Sequence, residues 1–396
     1  MQTESPDIQK ILIVDDNAKN LQVLGKLLQA ESLEIEFATN GVAALDWLEM
    51  RKFDLILLDI NMPGMDGFAV CEKIRANPVF SDMPIVFLTA QIDRESILKG
   101  FESGAQDYIL KPFDSRELMA RVKTQLEIKR GRDEIRKYLD VIEKKNKLIH
   151  ESIEYARSIQ DAFQKSARLP SSAFKESFSL LLPKDILGGD FSFFNQTGKM
   201  LTAGVFDGTG HGIPGALISI LGITYLNEVY EKDGYVSPDK VLGRIRDKII
   251  NGFDQKGDIL EISNGLDGAL LSFNVESRQL QFSGAFNSVF IVRDRKVLEL
   301  KGDRMPIAFH SNPVDFSLQT MEIMENDVIY MLTDGYVDQF GGPDNKKYGK
   351  LRFLEDIMNV FHLPLEEQKS HFLENLLKWK NTGDQTDDIT LIGLKL

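Results

Sequence analysis

From Arg132 to Leu169 the chain carries neither proline nor glycine, and charged residues dominate the stretch. Within it and just before it, Ile128, Ile135, Ile142, Ile149, Ala156 and Phe163 recur every seven residues. That spacing predicts one long amphipathic helix with a narrow apolar seam. The second seam of the same register is poor: Gly131, Tyr138, Lys145, Ser152 and Ile159. Leu139, Leu148 and Ile153 make the stripe drift. We read a weak coiled coil that joins two copies of the chain; a surface helix packed on its own domain is the alternative. Pro170 ends the helix. The stretch divides the 396 residues into an N-terminal domain over 1–127, a helical linker over 128–168 and a C-terminal domain over 169–396.

The N-terminal part alternates short apolar runs with helical periods. The runs are Ile11–Asp15, Ile35–Ala38, Leu55–Asp59, Pro84–Thr89 and Asp107–Lys111, and helical patterns start near Lys19, Val42, Phe68, Asp93 and Asp114. Five strand-then-helix units predict an α/β doubly wound domain of five parallel strands. Its ligand site should lie beyond the carboxyl ends of the strands. The part after Pro170 is dense in Gly and Asp. Seven β-like runs, Phe191–Phe194, Met200–Phe206, Ala269–Val275, Gln279–Ser283, Ser288–Val292, Val328–Leu332 and Ile389–Leu394, mix with helical stretches near Gly215–Tyr230, Pro238–Asn251, Lys350–Phe361 and Leu365–Trp379. This predicts an α+β domain, sheets covered by helices.

Several classes are excluded on composition. Net charge is −13, which disfavours a nucleic-acid binder. Cys71 is the lone cysteine, so no internal disulfide or CxxC zinc site is expected. The start, MQTESPDIQK, is polar and unlike a secretory signal. No run of 18 apolar residues predicts a membrane span. The expected setting is cytoplasmic, without membrane insertion.

The expected strand ends carry reactive groups. VDDN supplies Asp15 and Asp16, LILLDINMPGMDG supplies Asp59, FLTA supplies Thr89 and YILKPF supplies Lys111. Three carboxylates suit a hard cation such as Mg²⁺. With Lys111 the cation would neutralise a phosphoryl group arriving at Asp59, and Thr89 would hydrogen-bond it. A cis peptide before Pro112 would hold the lysine inward. Any one of these aspartates alone could be a helix N-cap. Together they resemble the receiver domain of two-component response regulators, the CheY-like fold, over residues 8 to 127. The resemblance implies Asp59 as phosphoacceptor, Asp15 and Asp16 as the metal-binding pair, Thr89 and Lys111 as switch and lysine, and Tyr108 as the rotating aromatic.

The C-terminal part offers GGDFSFF with Asp190, VFDGTGHGIPGALIS with Asp207, Gly208 and His211, MLTDGYVDQF with Asp334, and QTDDITLIGL with Asp387 and Asp388. Each Asp-Gly alone is above all a turn signal. Carboxylates with a glycine carbonyl match Mg²⁺ or Mn²⁺, and two such ions can activate a bridging water at a phosphoryl group. The ordered set resembles the metal-dependent serine/threonine phosphatases of the type 2C superfamily, in the SpoIIE/RsbU branch, over about 170 to 396. The implied fold is a β-sandwich flanked by helices. The implied two-metal centre is Asp190, Asp207 with the Gly208 carbonyl, Asp334, and Asp387 or its neighbour Asp388. Asp267 in GLDGALLSF is a further candidate. His211 lies away from the place of the family's general acid and receives no such role. No arginine precedes GGDFSFF to anchor phosphate; Lys184 is nearest, which leaves anchoring to the metals.

Other readings fare worse. GGDF suggests a diguanylate cyclase, but Phe191 stands where that family needs a second carboxylate. His150-Glu151 with DGTGHGIPG suggests a histidine kinase, yet no asparagine-rich helix precedes the glycines. No GxxxxGK[ST] occurs. The resemblances together imply a response regulator phosphorylated by an upstream histidine kinase, with a serine/threonine phosphatase output acting on an anti-sigma-factor antagonist. A phosphatase fold that only sequesters its partner is the alternative.

Overall fold

In the computed structural model, residues 8–29, 33–90, 94–166, 174–253 and 265–395 are described. The expected helix start at Asp93 and the break at Pro170 lie outside them. The chain forms two compact units, residues 1–146 and 147–396.

The first unit is a parallel sheet of β1 (Gln9–Val14), β2 (Leu33–Ala38), β3 (Leu55–Asp59), β4 (Ile85–Thr89) and β5 (Asp107–Leu110), in the order β2-β1-β3-β4-β5. Between and after the strands lie α1 (Ala18–Leu28), α2 (Gly41–Met50), α3 (Gly67–Ala76), α4 (Arg94–Glu102) and α5 (Ser115–Ser166). Every residue of β3 and β4 is buried, because helices cover both faces of the sheet. Alternation then splits the apolar residues into two cores. Leu12, Val14, Ile56, Leu58 and Phe87 meet Phe68, Val70 and Ile74 on one face. Ile11, Ile13, Leu55, Leu57, Val86 and Leu88 meet Leu21, Leu24, Leu118 and Val122 on the other. Asn17, Asn40 and Asp66 cap α1, α2 and α3 through their side chains, satisfying amides that each helix start leaves open.

α5 is one helix with no break at 127/128. Leu118, Val122 and Leu126 anchor its first turns in the core. Beyond them the seven-residue stripe stands in solvent: Ile128, Ile135, Ile142, Ile149 and Phe163 are exposed, as are Leu139 and Leu148.

The second unit holds two antiparallel five-stranded sheets. One is β13 (Gln319–Glu322), β10 (Gln279–Ala285), β9 (Leu266–Asn274), β8 (Met200–Gly208) and β7 (Phe191–Thr197), in that order. The other is β12 (Lys296–Leu300), β11 (Val289–Arg293), β14 (Val328–Leu332), β17 (Ile389–Lys395) and β6 (Glu176–Leu182). Their inner faces share a dry layer of Leu201, Ala203, Val205, Leu271, Phe282, Ile291, Met331 and Ile392. Helices α6 (Gly212–Asp233) and α7 (Pro238–Gly252) cover the first sheet. Helices α9 (Lys350–Val360) and α10 (Leu365–Lys380) cover the second. The short α8 (Asp334–Asp338) and a hairpin of β15 (Phe340–Gly341) and β16 (Lys346–Lys347) complete the unit. By length and composition α6 could cross a membrane. Here it is a core helix, with Ile218, Ile223, Leu226, Val229 and Tyr230 buried against the sheet.

Candidate functional site

Chemistry gathers at two acidic centres, one per unit. In the first, β1 and β3 are neighbours at the point where strand order reverses, the place where an open α/β sheet leaves a crevice beyond its strand ends. Asp15 follows β1 and Asp59 ends β3. Oxygens of Asp15, Asp16 and Asp59 lie within 4.8 Å of one another. The Lys111 Nζ stands 2.8 Å from Asp15 and 2.8 Å from Asp59. The Asn17 amide donates to Asp15 at 2.8 Å and the Asn20 side chain at 3.0 Å; neither asparagine stood out in the sequence. Burial raises the Asp59 pKa, and the Asp15 charge adds to it against the pull of Lys111. Burial also works against the Lys111 charge, but its bonds to Asp15 and Asp59 win and hold its pKa up. The Lys111–Pro112 peptide is cis. Thr89 is buried at the end of β4. Tyr108 is half-buried, its ring edge-on to Phe101 and beneath the Arg121 guanidinium.

In the second unit the aspartates come from five separate segments. Asp207 is the last residue but one of β8 and lies directly opposite Asp267 in β9, so Asp267 lies on a strand. Asp190 precedes β7 and is 2% exposed. One of its oxygens accepts from the Thr333 hydroxyl at 2.6 Å and the Thr390 hydroxyl at 2.8 Å. The other, Oδ1, is buried without a hydrogen-bond partner. Asp334 opens α8 and faces solvent. Gly335 beside it is needed for close approach, since a Cβ there would lie 1.9 Å from the Asp388 carbonyl oxygen. Likewise a Cβ on Gly189 would lie 2.4 Å from the Gly208 carbonyl oxygen.

The neighbours Asp387 and Asp388 part ways. Both oxygens of Asp388 are used inside the fold, accepting from the Lys184 amide at 2.7 Å and the Gly189 amide at 2.6 Å. Asp387 adds its charge to Asp207 and Asp334, while one of its oxygens accepts from the Asp388 amide at 2.8 Å; both aspartates act on Asp190. Burial, then the charges of Asp190, Asp334, Asp387 and Asp267, push the Asp207 pKa up to about 9. Burial and Asp334 push Asp267 up to about 6. Burial raises Asp190 as well, against its two hydroxyl donors. This donor set is all oxygen, crowded with negative charge and one buried oxygen short of a partner. It fits a hard divalent cation.

Around this centre, Gln160 of α5 is buried and donates to the Gly188 carbonyl at 2.6 Å and the Ser219 hydroxyl at 2.8 Å. Gln164 donates to the Asp190 carbonyl at 3.3 Å. His211 sits at the N-cap of α6, 3.0 Å from the exposed Asp185. His150 is a solvated residue of α5.

Comparison with known proteins agrees with this division. The response regulator receiver domain family matches residues 11–123. Stage II sporulation protein E (SpoIIE) matches residues 197–396, slightly more than half of the chain. The DNA-binding response regulator MtrA of Mycolicibacterium paratuberculosis is 41% identical over 133 residues, 34% of this chain and 57% of that protein. The response regulator PleD of Caulobacter vibrioides is 42% identical over 127 residues, 32% of this chain and 28% of that protein. The chain thus spans a little more than half the length of the first of these curated relatives and under a third of the second. Among solved structures, the SiaA-PP2C domain of Pseudomonas aeruginosa is 29% identical, with a TM-score of 0.58, covering 63% of this chain and 98% of that one. With a receiver domain in its N-terminal part, the chain belongs to the SpoIIE family.

Proposed function

We propose that the chain is a response regulator whose output is a metal-dependent protein serine/threonine phosphatase. The observation that carries this is the second acidic centre, in which the carboxylates of Asp190, Asp207, Asp334 and Asp387 act on one another by charge within a SpoIIE domain. Asp190, Asp207 with the Gly208 carbonyl, Asp334 and Asp387 would hold two Mn²⁺ or Mg²⁺ ions. Of the two neighbours we favour Asp387, because amides of Lys184 and Gly189 already bond both oxygens of Asp388. Asp388 orients the loop that carries Asp190. Thr333 and Thr390 fix the Asp190 carboxylate and leave its Oδ1 aimed elsewhere. Bound ions would supply an activated water and offset charge on the phosphoryl group.

In the receiver, Asp59 would accept a phosphoryl group from an upstream histidine kinase, with Mg²⁺ held by Asp15, Asp16 and Asp59. Lys111 would neutralise the new charge, Thr89 would bond the phosphoryl oxygens, and Tyr108 would report the change. The signal would run along α5 to Gln160, which grips the loop before Asp190. The exposed stripe of α5 supports pairing with a second copy of the chain. The substrate we favour is a phosphorylated anti-sigma-factor antagonist.

The test is phosphate release from such an antagonist by the full chain with Mn²⁺. Release that stops with chelator supports the reading. A chain that binds the phosphoprotein and never releases phosphate would be a sequestering module instead.

A further inference from the structure

The sequence offers no arginine for the substrate phosphate, and the acidic centre has a cation problem: a phosphoseryl group must approach five carboxylates. One basic element stands beside them. In a chain of net charge −13, Lys346, Lys347, Lys350 and Arg352 crowd the segment that includes β16. Lys347 pairs with Phe340 across the hairpin. Its Nζ stands 2.6 Å from Asp338, and Asp338 lies one turn beyond Asp334 on α8, so both project from one face. The Lys347 charge acts on Asp334 as well.

The hairpin is held firmly. The Gln339 side chain, fully buried, donates to the Asp384 carbonyl at 3.0 Å and accepts from the Thr386 amide at 3.2 Å. It thereby ties the hairpin to the loop of Asp387. The Gln339 carbonyl accepts from the Tyr348 amide at 2.9 Å and from the Trp379 indole at 3.2 Å. The Arg352 guanidinium lies 4.3 Å from the Trp379 ring centroid. Lys347 is therefore a flexible ammonium on a rigid base, next to the loops of both Asp334 and Asp387. Its present partner is weak: the two side chains are 53% and 41% exposed, and exposed pairs contribute little. A phosphate dianion offers a stronger, charge-assisted acceptor.

Resting on the phosphatase reading above, we infer that Lys347 binds the substrate phosphate: its ammonium exchanges the Asp338 carboxylate for a nonbridging oxygen of the phosphoseryl group at Asp334, to which it donates. No bond to phosphorus is made or broken by it; it is a binding and specificity residue.

The experiment measures Mn²⁺-dependent hydrolysis of a phosphoseryl peptide and of p-nitrophenyl phosphate by the full chain, Lys347→Gln, Lys347→Arg and Asp338→Asn. Lys347→Gln should raise KM about tenfold on both substrates, with most of the loss in kcat/KM carried by KM. Lys347→Arg should recover most of it. Asp338→Asn, which frees the ammonium, should lower KM. An unchanged KM in Lys347→Gln, or a loss confined to kcat, overturns the assignment. So does an equal loss in the arginine variant, which would mark a structural role. A wild type that hydrolyses neither substrate overturns the phosphatase reading, and binding of inorganic phosphate with Mn²⁺ then decides. Affinity that falls in Lys347→Gln keeps the assignment, and affinity that does not removes it.

Discussion

The two acidic centres solve one electrostatic problem in opposite ways. The receiver carries its own counter-cation: Lys111 bridges Asp15 and Asp59 at 2.8 Å each, so two of its three carboxylates are matched within the fold. Among the described residues the SpoIIE centre has no such bridge. Its carboxylates raise one another, up to about 9 at Asp207, and Asp190 keeps a buried oxygen unsatisfied. A centre with a built-in cation leans less on what it binds. A centre without one makes the fold itself depend on what it binds.

The sharpest way to break the comparison is at Asp59. Asp59→Asn removes the acyl-forming carboxylate and keeps its shape, so label from a small phosphodonor should not be incorporated at all. Wild-type incorporation would show that the phosphoryl group goes elsewhere. At the other centre, Asp207→Asn or Asp334→Asn should cut turnover by at least ~10²-fold, on the order of 3 kcal/mol of transition-state stabilisation. Activity that survives chelator would mean that the crowded carboxylates serve another chemistry.

Coupling between the centres should show a smaller effect. Ile142→Asp together with Ile149→Asp places like charges in the exposed stripe of α5. The double variant should sediment as a monomer, still take phosphate at Asp59, and lose a phosphorylation-dependent rate change of about 5–150-fold. A wild type that is monomeric in both states, with a variant that responds normally, would reduce α5 to a tether.

The smallest effect is on stability, and its sign follows from the raised carboxylates. The folded chain holds protons that the unfolded chain releases. The stability this contributes is full below the ordinary value of 3.8 and is lost as pH rises through about 6 for Asp267 and about 9 for Asp207. In chelator, the melting temperature of the SpoIIE unit should therefore fall from pH 5 to pH 9, by roughly 5 °C. Mn²⁺ should remove the slope, and Asp207→Asn should flatten it. A slope that neither changes would place the excess charge elsewhere.

What the sequence disclosed follows from burial. Central strands such as β3, β4, β14 and β17 are covered on both faces and read as unbroken apolar runs. The strands it did not disclose, β6, β12, β13 and the short β15 and β16, are all sheet edges, where alternating or polar residues such as those of KVLEL and QTME are normal. Asp15, Asp59 and Lys111 were legible because each ends an apolar run. The choice between Asp387 and Asp388 was not, since only the loop amides of Lys184 and Gly189 distinguish two adjacent aspartates. Gln160, Thr333 and Thr390 carried no signal in the sequence, because their partners at Gly188, Ser219 and Asp190 lie 28 to 200 positions away.

The stitching of Asp388 to Lys184 spans 204 positions of sequence, and that of Thr390 to Asp190 spans 200. The receiver closes its own site over 96, from Asp15 to Lys111. Doubling a loop costs only about 0.6 kcal/mol of closure entropy, so the penalty falls on time more than on final stability. Long-range pairing slows folding, and β6 must wait for β17 as a sheet neighbour. A chain refolding from denaturant should thus regain phosphoryl acceptance before phosphate release, and for that interval it would be a listener with no voice.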